Sequence, residues 1–301
     1  MTKSNGLSKI SVIIPTFNHA RYISAAIGSA LAQTLRPFEI IVVDDGSTDD
    51  TENVVRGFGD RVRYIWQDNA GVCAARNRGV AASTGDFLAF LDADDSWEPS
   101  KLDKQSAKFA EDPEVGLVHC GMREFDSATG KTIAVHLIGA DGWVAENIAL
   151  WEGPVIVGPG GTIVVRREIF EEVGGYDTNL RNGEDWEFCF RVAKQAKVGF
   201  VAEPLVNYRM HGANSHKNVK EMERSTLIAW SKVFDGSDPE IERLRARSYG
   251  NLHKVLAGSY LHQGDYAGFL RNVLKSLWYR PSYLGFYFAQ ISRRGRAELR
   301  D

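Results

Sequence analysis

The sequence predicts an α/β fold with a doubly wound, mostly parallel sheet, followed by a helical C-terminal region. Short apolar runs alternate with segments of helical periodicity through the first two thirds of the chain, which is typical of βαβ units. Beyond residue 216 the strand signals stop and helical segments continue. We therefore expect a first domain over residues 1–215 and a helical region over residues 216–301.

Three short runs rich in apolar residues near the start of the chain are predicted to form strands, and the first of them is predicted to be buried. They cover residues 10–15, 38–43 and 62–66. Helical spacing follows over residues 20–33 and again over residues 71–82. Ser47 and Asp50 form a candidate capping box for a helix after the second strand. This order indicates parallel strands joined by crossover helices.

A fourth apolar run leads directly into a cluster of acids. Residues 87–91 are all apolar, and Asp92, Asp94 and Asp95 follow at the carboxyl end of this predicted strand. Ligands in open α/β sheets bind at such strand ends. Three adjacent carboxylates resist ionising together unless a cation is near, and Mg²⁺ and Mn²⁺ take oxygen ligands. The pattern predicts a divalent cation that holds a diphosphate; the alternative is a solvated acidic loop that caps the next helix.

The later elements of the first domain have weaker signals. Strands are predicted over residues 115–120, 162–165 and 198–201, and helices over 100–110, 167–173 and 184–196. Residues 128–130 have the composition of a hairpin turn. Pro159, Gly160 and Gly161 precede a strand, where they either let the backbone approach a sugar closely or form a tight turn. The C-terminal region is predicted to contain helices over residues 221–234, 240–262 and 266–278.

The composition is that of a globular protein. Of 301 residues, 44% are hydrophobic and 25% are charged, and the net charge of −3 gives no support for nucleic-acid binding. Cys73, Cys120 and Cys189 are far apart and match no disulfide or metal pattern, which fits a reducing, cytoplasmic setting. We expect no signal peptide and, without an apolar run of about 18 residues, no membrane-spanning helix.

The last segment, residues 282–300, is aromatic and then basic. It ends with Arg293, Arg294 and Arg296 close together. A helix of this kind can lie on an anionic membrane surface, which would place the protein at the inner face of the cell membrane. The alternative is a helix that packs on the first domain and carries a solvated basic tail.

Functional side chains follow three of the predicted strands. Phe17 after the first could stack on a nucleotide base, and Asp45 after the second could accept a hydrogen bond from a base or a ribose. Arg76, on the helix before the acidic strand, could reach a phosphate or the base. The strand ends of a doubly wound sheet face one crevice, so a nucleotide site is predicted there. Taken singly, Asp45 could cap a helix and Arg76 could be a surface charge.

Five motifs together resemble those of the family 2 glycosyltransferases. They are SVIIPTFN at 11–18, IVVDDGSTD at 41–49, GVCAARNRG at 71–79, FLDADD at 90–95 and GEDWE at 183–187. The resemblance covers roughly residues 9–215. It implies a GT-A fold, a nucleotide-diphosphate sugar donor, a divalent metal (Mn²⁺ or Mg²⁺) and inversion at the anomeric carbon. It further implies a carbohydrate or lipid-linked acceptor and a role in making cell-surface polysaccharide or glycoconjugates.

The resemblance also assigns donor-binding residues. The base and ribose would be bound near Pro15, Thr16, Phe17, Asn18, Asp45 and Arg76. Ribose contacts fall on Asp92 and Asp94, and metal contacts on Asp94 and Asp95, although the extra acid leaves two registers open. In the segment YRMH at 208–211, Arg209 is assigned to the diphosphate and His211 to the metal. A lone histidine is more often structural, which is the alternative for His211.

The same resemblance makes Asp185 the catalytic base. A positioned carboxylate that accepts the proton of an acceptor hydroxyl contributes roughly 10²–10⁴-fold to the rate. Because Asp185 opens a predicted helix, the helix dipole favours its ionised form; without the resemblance, an ordinary helix start would explain it. Glu184 and Trp186 would orient the acceptor or support the site.

Other functions are less well supported by the sequence. The main alternative is a noncatalytic nucleotide-sugar binding or scaffold protein of a polysaccharide assembly system. A nucleotidyltransferase is disfavoured because no Gly-rich loop bearing Arg or Lys follows the first strand, and a dinucleotide dehydrogenase because no GxGxxG motif does. A uridine donor is expected as the commonest choice for such sites, whereas the sugar and the linkage are not specified.

Overall fold

The computed structural model describes residues 9–212 and 219–287. These residues form two compact units. The described part of the first unit comprises residues 9–148 and 154–212, and that of the second comprises residues 149–153 and 219–287. Residues 149–153, which the sequence analysis includes in the first domain, group with the C-terminal helices.

One nine-stranded sheet organises the first unit. Its strands are β1 (Ile10–Thr16), β2 (Glu39–Asp44), β3 (Arg63–Trp66), β4 (Phe87–Phe90), β5 (Ser96–Trp97), β6 (Val115–Asp126), β7 (Thr132–His136), β8 (Val164–Arg166) and β9 (Lys197–Met210). Their order in the sheet is β3-β2-β1-β4-β8-β6-β9-β5, and β7 pairs with β6. The pairings make six strands run one way, and β5, β7 and β8 run the other. The predicted mostly parallel α/β sheet is therefore confirmed.

Helices cover the sheet in the first unit. They are α1 (Ile23–Leu31), α2 (Thr51–Arg56), α3 (Val72–Ala82), α4 (Lys101–Glu111), α5 (Ala145–Leu150), α6 (Pro159–Thr162), α7 (Arg167–Glu172) and α8 (Glu184–Gln195). Strand β1 is buried along its whole length, as its apolar sequence predicts. Helix α3 packs closely on β1 because Gly79 has no side chain: a Cβ there would lie 2.4 Å from Ile13 Cγ2. The close packing fixes α3, which carries Arg76, against the centre of the sheet.

Several local predictions differ from the structure, among them the single helix expected over residues 240–262, which is two helices, Pro239–Glu242 and Arg245–His262. The capping box of Ser47 and Asp50 does not form, because Ser47 Oγ accepts a hydrogen bond from the Asn18 backbone N–H at 2.8 Å and α2 begins at Thr51. Strands β6 and β9 are much longer than predicted and pair in parallel along most of their length. Their second halves are partly exposed and polar, so no apolar run marks them.

The second unit is helical. Its helices are α9 (Val219–Val233), α10 (Pro239–Glu242), α11 (Arg245–His262) and α12 (Tyr266–Tyr279). Trp230 of α9 is buried, and its Nε1 donates to Ser248 Oγ at 2.9 Å. Ser248 Oγ in turn donates to the carbonyl of Ala149. Residues 9–212 and 219–287 include no helix that is both long enough and apolar enough to cross a bilayer.

Candidate active site

The carboxyl ends of β1, β2 and β4 lie side by side at one edge of the sheet. β1 pairs in parallel with both neighbours. The chain stays in register just beyond the strands, because Asp45 N donates to Thr16 O at 2.8 Å and Leu91 N donates to Ile13 O at 3.0 Å. Phe17, Asp45 and the acids that begin at Asp92 therefore leave the sheet at the same edge, as expected from the sequence.

Asp45 shapes a loop at this edge. It is buried, and its Oδ1 accepts hydrogen bonds from Gln67 Nε2 at 2.6 Å and from Ala70 N at 2.9 Å. Its Oδ2 accepts from Gly71 N at 2.8 Å. Both carboxylate oxygens are thus engaged by residues just before α3. In this structure Asp45 holds the loop that leads to the helix of Arg76.

The residues that end β1 divide into buried and exposed groups. Pro15 lies within β1 opposite Val43, and Thr16 is buried with an Oγ1 that finds no hydrogen-bond partner among the described residues. Phe17 is 45% exposed. Asn18 adopts the left-handed conformation (φ 57°), and its Oδ1 accepts from Thr48 N at 2.8 Å. Because the ring of Phe17 is partly exposed, it can stack on a ligand.

A buried arginine joins two of the predicted site carboxylates. Arg76 Nη1 donates to Asp185 Oδ1 at 2.8 Å, and Arg76 Nη2 donates to Asp92 Oδ1 at 3.0 Å. Glu184 Oε1 lies 3.9 Å from Nη1, and the ring centroid of Tyr176 lies 5.0 Å from the guanidinium carbon. We call Arg76, Asp92 and Asp185 the arginine cluster. Arg76 was expected to reach a phosphate or base; in this structure Nη1 and Nη2 donate to carboxylates, and the buried Nε has no partner among the described residues.

Burial raises the pKa of Asp185. Desolvation raises the pKa of Asp185 to about 7, although Arg76 opposes the shift, and the negative charges of Glu184 and Asp92 raise it further. The start of α8 was expected to favour the ionised form of Asp185, and burial acts in the opposite direction. The side chain is still 22% exposed. A reachable carboxylate with a pKa near neutrality suits a general base.

Helix α6 closes one side of the arginine cluster. A Cβ added to Gly160 would lie 2.7 Å from Asp92 Oδ2, 3.1 Å from Arg76 Nη2 and 3.3 Å from Asp185 Oδ2. The next carbonyl, of Gly161, accepts a hydrogen bond from Trp97 Nε1 at 3.1 Å. The Pro-Gly-Gly segment is therefore a short helical turn whose backbone approaches the charged groups closely.

The end of β9 meets the acids that follow β4. Arg209 N donates to Asp95 Oδ1 and Arg209 Nε donates to the Asp94 carbonyl, both at 2.8 Å. His211 Nε2 lies 2.9 Å from Asp94 Oδ2. Burial raises the pKa of Asp95 well above its usual range, and the charges of Asp92 and Asp94 add to the effect. The structure thus brings Asp94, Asp95, Arg209 and His211 together.

Tyr22 belongs to this group but was missed in the sequence. Its ring stacks on His211 with centroids 5.0 Å apart, and the Arg209 guanidinium lies 5.1 Å from the Tyr22 centroid and 4.8 Å from that of Phe125. Tyr22 fell within a predicted helix, and its partners are nearly 190 residues away in sequence, so no local pattern marks it. Its position just after the motif at 11–18 is the one available signal.

The carboxylates that follow β4, together with His211, could bind a cation that is also coordinated by a bound ligand. Asp94 and His211 present an oxygen and a nitrogen suited to Mn²⁺, while one oxygen of Asp95 is engaged by Arg209. Across the described ranges, no three His, Cys, Asp or Glu side chains form a group that could hold a metal on their own. Mg²⁺ and similar ions often take one or two carboxylates and complete their shell with water and substrate phosphates. Two protein ligands are therefore compatible with such a site.

Glu184 and Trp186 flank Asp185 at the start of α8. Trp186 Nε1 donates to the carbonyl of Ile148 at 2.9 Å, and its ring stacks on Phe190 with centroids 6.5 Å apart. These contacts hold α8 to the part of α5 in the first unit. Trp186 therefore supports the placement of Asp185, and Glu184 adds negative charge beside it.

Related sequences carry the name glycosyltransferase. An uncharacterized glycosyltransferase of Nostoc sp. is 37% identical over 222 residues, which cover 69% of this chain and 66% of the relative. One from Rickettsia typhi is 30% identical over 226 residues, which cover 74% of this chain and 70% of the relative. A relative from Rickettsia conorii is longer, and the matched region spans 40% of it.

Solved structures share the fold. Staphylococcus aureus TarS 1-349 in complex with UDP-GlcNAc matches with a TM-score of 0.68 at 17% identity, over 90% of this chain and 81% of that one. The mannosyltransferase PcManGT from Pyrobaculum calidifontis, in complex with GDP-Man and Mn²⁺, matches with a TM-score of 0.63 at 18% identity, over 97% and 81%. The expected GT-A fold is thus confirmed.

The family itself follows from the sequence match. The model of Glycosyl transferase family 2 matches residues 11–174, which include β1, β2, β4 and the Pro-Gly-Gly segment. The chain belongs to glycosyl transferase family 2.

Proposed function

We propose that the protein transfers a sugar, with inversion, from a nucleotide-diphosphate donor to a hydroxyl of a carbohydrate or lipid-linked acceptor. The observation that carries this proposal is the pair of hydrogen bonds from Arg76 to Asp185 and Asp92. Through these two bonds, the guanidinium of Arg76 links Asp185, the proposed base, to Asp92 at the end of β4. Base and donor site would then lie close enough to act on one sugar.

The donor would bind at the carboxyl edge of the parallel strands. Phe17 offers an exposed ring for the base. The hydroxyl of Thr16 is buried, so Thr16 would act by holding the end of β1 that carries Phe17. Asp92 Oδ2 accepts no hydrogen bond from Arg76 and is assigned to the ribose. The side-chain oxygens of Asp45 and Asn18 already accept hydrogen bonds from loop residues, so these two residues would act by holding the loops of the site in shape.

Asp94 and His211 would hold Mn²⁺ or Mg²⁺ against the diphosphate, with Asp95 beside them and Arg209 as a fixed positive charge. Arg209 is braced by the Asp94 carbonyl and by the rings of Tyr22 and Phe125. When bound, the cation supplies Lewis-acid stabilisation of the leaving diphosphate. The bracing of Arg209 keeps its charge in place before the leaving group develops, which is how preorganised charges lower a barrier.

Asp185 would act as the general base. Its Oδ1 is held by Arg76, so Oδ2 is the oxygen left to accept the proton of the acceptor hydroxyl. The acceptor oxygen attacks the anomeric carbon as the diphosphate leaves from the opposite face, which inverts the configuration. Glu184 and Trp186 would position the acceptor or support α8.

The test compares Asp185→Asn with the wild type. Release of nucleoside diphosphate from UDP-GlcNAc or GDP-Man is measured with water and with candidate acceptors, in Mn²⁺ and after chelation. We expect the variant to lose roughly 10²–10⁴-fold in turnover while calorimetry shows donor binding retained. Asp103→Asn, which changes an exposed carboxylate on α4, is the matched control.

Two results would count against the proposal. Full turnover by Asp185→Asn would show that Asp185 is not the general base. Tight donor binding by the wild type without turnover towards any acceptor or water would favour the noncatalytic nucleotide-sugar binding protein. A uridine donor is proposed, and a larger thermal shift with GDP-Man than with UDP-GlcNAc would replace it with guanosine.

A further inference from the structure

Helix α12 presents its apolar residues to solvent and its small and polar residues to the protein. Tyr266, Leu270, Leu274 and Trp278 recur at every fourth position and are 71%, 56%, 60% and 85% exposed. We call these four residues the α12 apolar face. Residues four apart lie on one side of a helix, so the four side chains form one stripe. Surface helices normally have the reverse arrangement.

The opposite side of α12 fits closely against α11. A Cβ added to Gly268 would lie 2.3 Å from Tyr260 Cδ1, so the two helices are in tight contact there. Asn272 Oδ1 pairs with His253 Nδ1 at 2.7 Å, and Ser276 Oγ donates to the Gly250 carbonyl at 3.2 Å. These contacts fix the orientation of α12. The exposed stripe is therefore built into the packing.

Basic residues border the α12 apolar face. The Arg271 and Lys275 side chains are about half exposed. Both face one carboxylate, Glu223: Arg271 Nη2 donates to its Oε2 at 2.5 Å, and Lys275 Nζ lies 4.0 Å from its Oε1. One positive charge is left over. In sequence, residues 266–297 contain six Arg or Lys and no Asp or Glu, in a chain whose net charge is −3.

We propose that the α12 apolar face lies in the headgroup region of a membrane that contains anionic lipid. An apolar stripe bordered by positive charge, with aromatic residues at its ends, has the composition of a helix that lies in the plane of the interface. The sequence analysis assigned membrane contact only to residues 282–300; this inference concerns a different segment with defined orientation. Catalysis at the site in the first unit does not depend on it.

Charge favours lipid over a second copy of the chain. In a two-fold dimer built on the α12 apolar face, the same patch would meet itself. Arg271 and Lys275 of both copies would then be brought towards each other, which is unfavourable. An anionic lipid surface instead attracts each of these charges.

The test is flotation of the full chain with vesicles of phosphatidylcholine, with and without phosphatidylglycerol. We expect flotation with the anionic vesicles that weakens as salt is raised. Leu274→Ser should lower the partition coefficient by about tenfold, because it removes an exposed apolar side chain that membrane binding would bury. The combined variant Leu270→Ser, Leu274→Ser and Trp278→Ser should abolish flotation. All three positions are exposed, so circular dichroism and the urea midpoint should match the wild type.

Three further variants make the result specific. Ile133→Ser removes a comparably exposed apolar side chain from β7 of the first unit and should float like the wild type. Replacing Arg293, Arg294 and Arg296 with Gln tests the tail in the full-length chain. Wild-type emission should shift to shorter wavelength on anionic vesicles, and Trp278→Phe should reduce that shift, since Trp278 is almost fully exposed in the free protein.

Several outcomes would overturn the inference. Flotation of the triple serine variant at the wild-type level would do so, as would failure of the wild type to float. If the tail variant loses flotation and the triple variant keeps it, the tail alone binds lipid. A dimer in sedimentation that the triple variant dissolves, without flotation, would assign the face to a second copy.

Discussion

At the scale of single residues, Arg76 is the group whose removal should disturb the site most. It is 3% exposed and forms ion pairs with both Asp185 and Asp92. Arg76→Met would leave two carboxylates without their buried partner, which costs about 3–5 kcal/mol of stability. The same loss removes the one influence that lowers the pKa of Asp185, so the acidic limb of the pH–rate profile should move to higher pH. Urea unfolding and donor turnover against pH measure the two effects.

The control for Arg76 lies on the same helix. Arg78→Met changes an exposed arginine two residues away on α3 and should leave both stability and the profile within error of the wild type. If the two variants behaved alike, the two carboxylates would not depend on Arg76 for their charge balance.

Asp94 should govern the metal response. Asp94→Asn keeps the size of the side chain but removes the charge that faces His211 and the proposed cation. Metal affinity should fall by about 10-fold or more, in line with the effect of altering groups around a metal. A titration of Mn²⁺ against donor turnover measures the shift, with Asp103→Asn again as control. An unchanged Mn²⁺ requirement would assign the metal to Asp92 or Asp95 instead.

His119 should make stability depend on pH. It is buried on β6, its Nε2 donates to the Ala140 carbonyl at 2.9 Å, and its Nδ1 accepts from Val157 N at 3.2 Å. The bond from Val157 requires an unprotonated Nδ1, and burial lowers the pKa of His119 from 6.5 to about 4. Below pH 6.5 the unfolded chain takes up a proton that the folded protein does not. The free energy of unfolding should therefore fall as the pH decreases from 6.5 to 4, by roughly 3 kcal/mol in all at about 1.4 kcal/mol per pH unit.

The measurement is urea unfolding at several pH values in this window. In His119→Gln, the free energy of unfolding should fall less steeply as the pH decreases, because one fewer proton is taken up on unfolding. Phe200→Leu removes the ring that stacks on His119 at 4.5 Å and should lower stability without removing that slope. Equal slopes in the wild type and His119→Gln would show that the proton is taken up elsewhere.

At the scale of elements, the position of helix α6 should be critical. The methyl group of Gly160→Ala would enter the space of Asp92, Arg76 and Asp185. Overpacking of this kind costs about 1–3 kcal/mol, and moving the proposed base should lower kcat more than donor affinity. Gly28→Ala is the control, because in the described residues no atom lies within 4 Å of a Cβ placed there. As an interior helix position it should gain about 0.5–1 kcal/mol. If Gly160→Ala left stability and kcat unchanged, α6 would be able to shift and make room for the methyl group.

Elements that carry their own signal were predictable from the sequence. Strand β1 and its neighbours are continuous apolar runs because they are covered on both faces, and each lies within about a residue of its predicted position. The second half of β9 has no such run, since only its pairing with β6 makes it a strand. The same holds for the site. Asp185 and Asp92 stand in recognisable motifs, but the hydrogen bonds from Arg76 that join them depend on tertiary structure, as does the stacking of Tyr22 on His211.

At the scale of the whole molecule, the chain enters the helical unit twice. Residues 149–153 belong to it although they lie far from the C-terminal helices in sequence. Trp151, with a φ of 50°, sets its ring 5.0 Å from that of Trp230, and Glu152 binds Arg247 and Arg280. These contacts lower the pKa of Glu152 to about 2, chiefly through Arg247. A composition change near residue 216 cannot reveal such a segment, because five residues carry no periodicity.

The helical unit should therefore depend on a piece of the chain that a cut at residue 216 removes. Residues 216–301 alone would lack the carbonyls that accept from Ser248 and Asn251 and the carboxylate that binds Arg247. We expect this fragment to melt at a lower temperature than the same fragment mixed with a peptide of residues 145–154, by circular dichroism. A peptide with Glu152→Gln should rescue less at pH 7. The deficit should shrink as the pH falls from 4.5 towards 2, where the native carboxylate is protonated too. Because Glu152 is about one third exposed, its share should be about 1 kcal/mol or less. An identical melt with and without the peptide would make residues 216–301 an autonomous domain and residues 149–153 a passive neighbour.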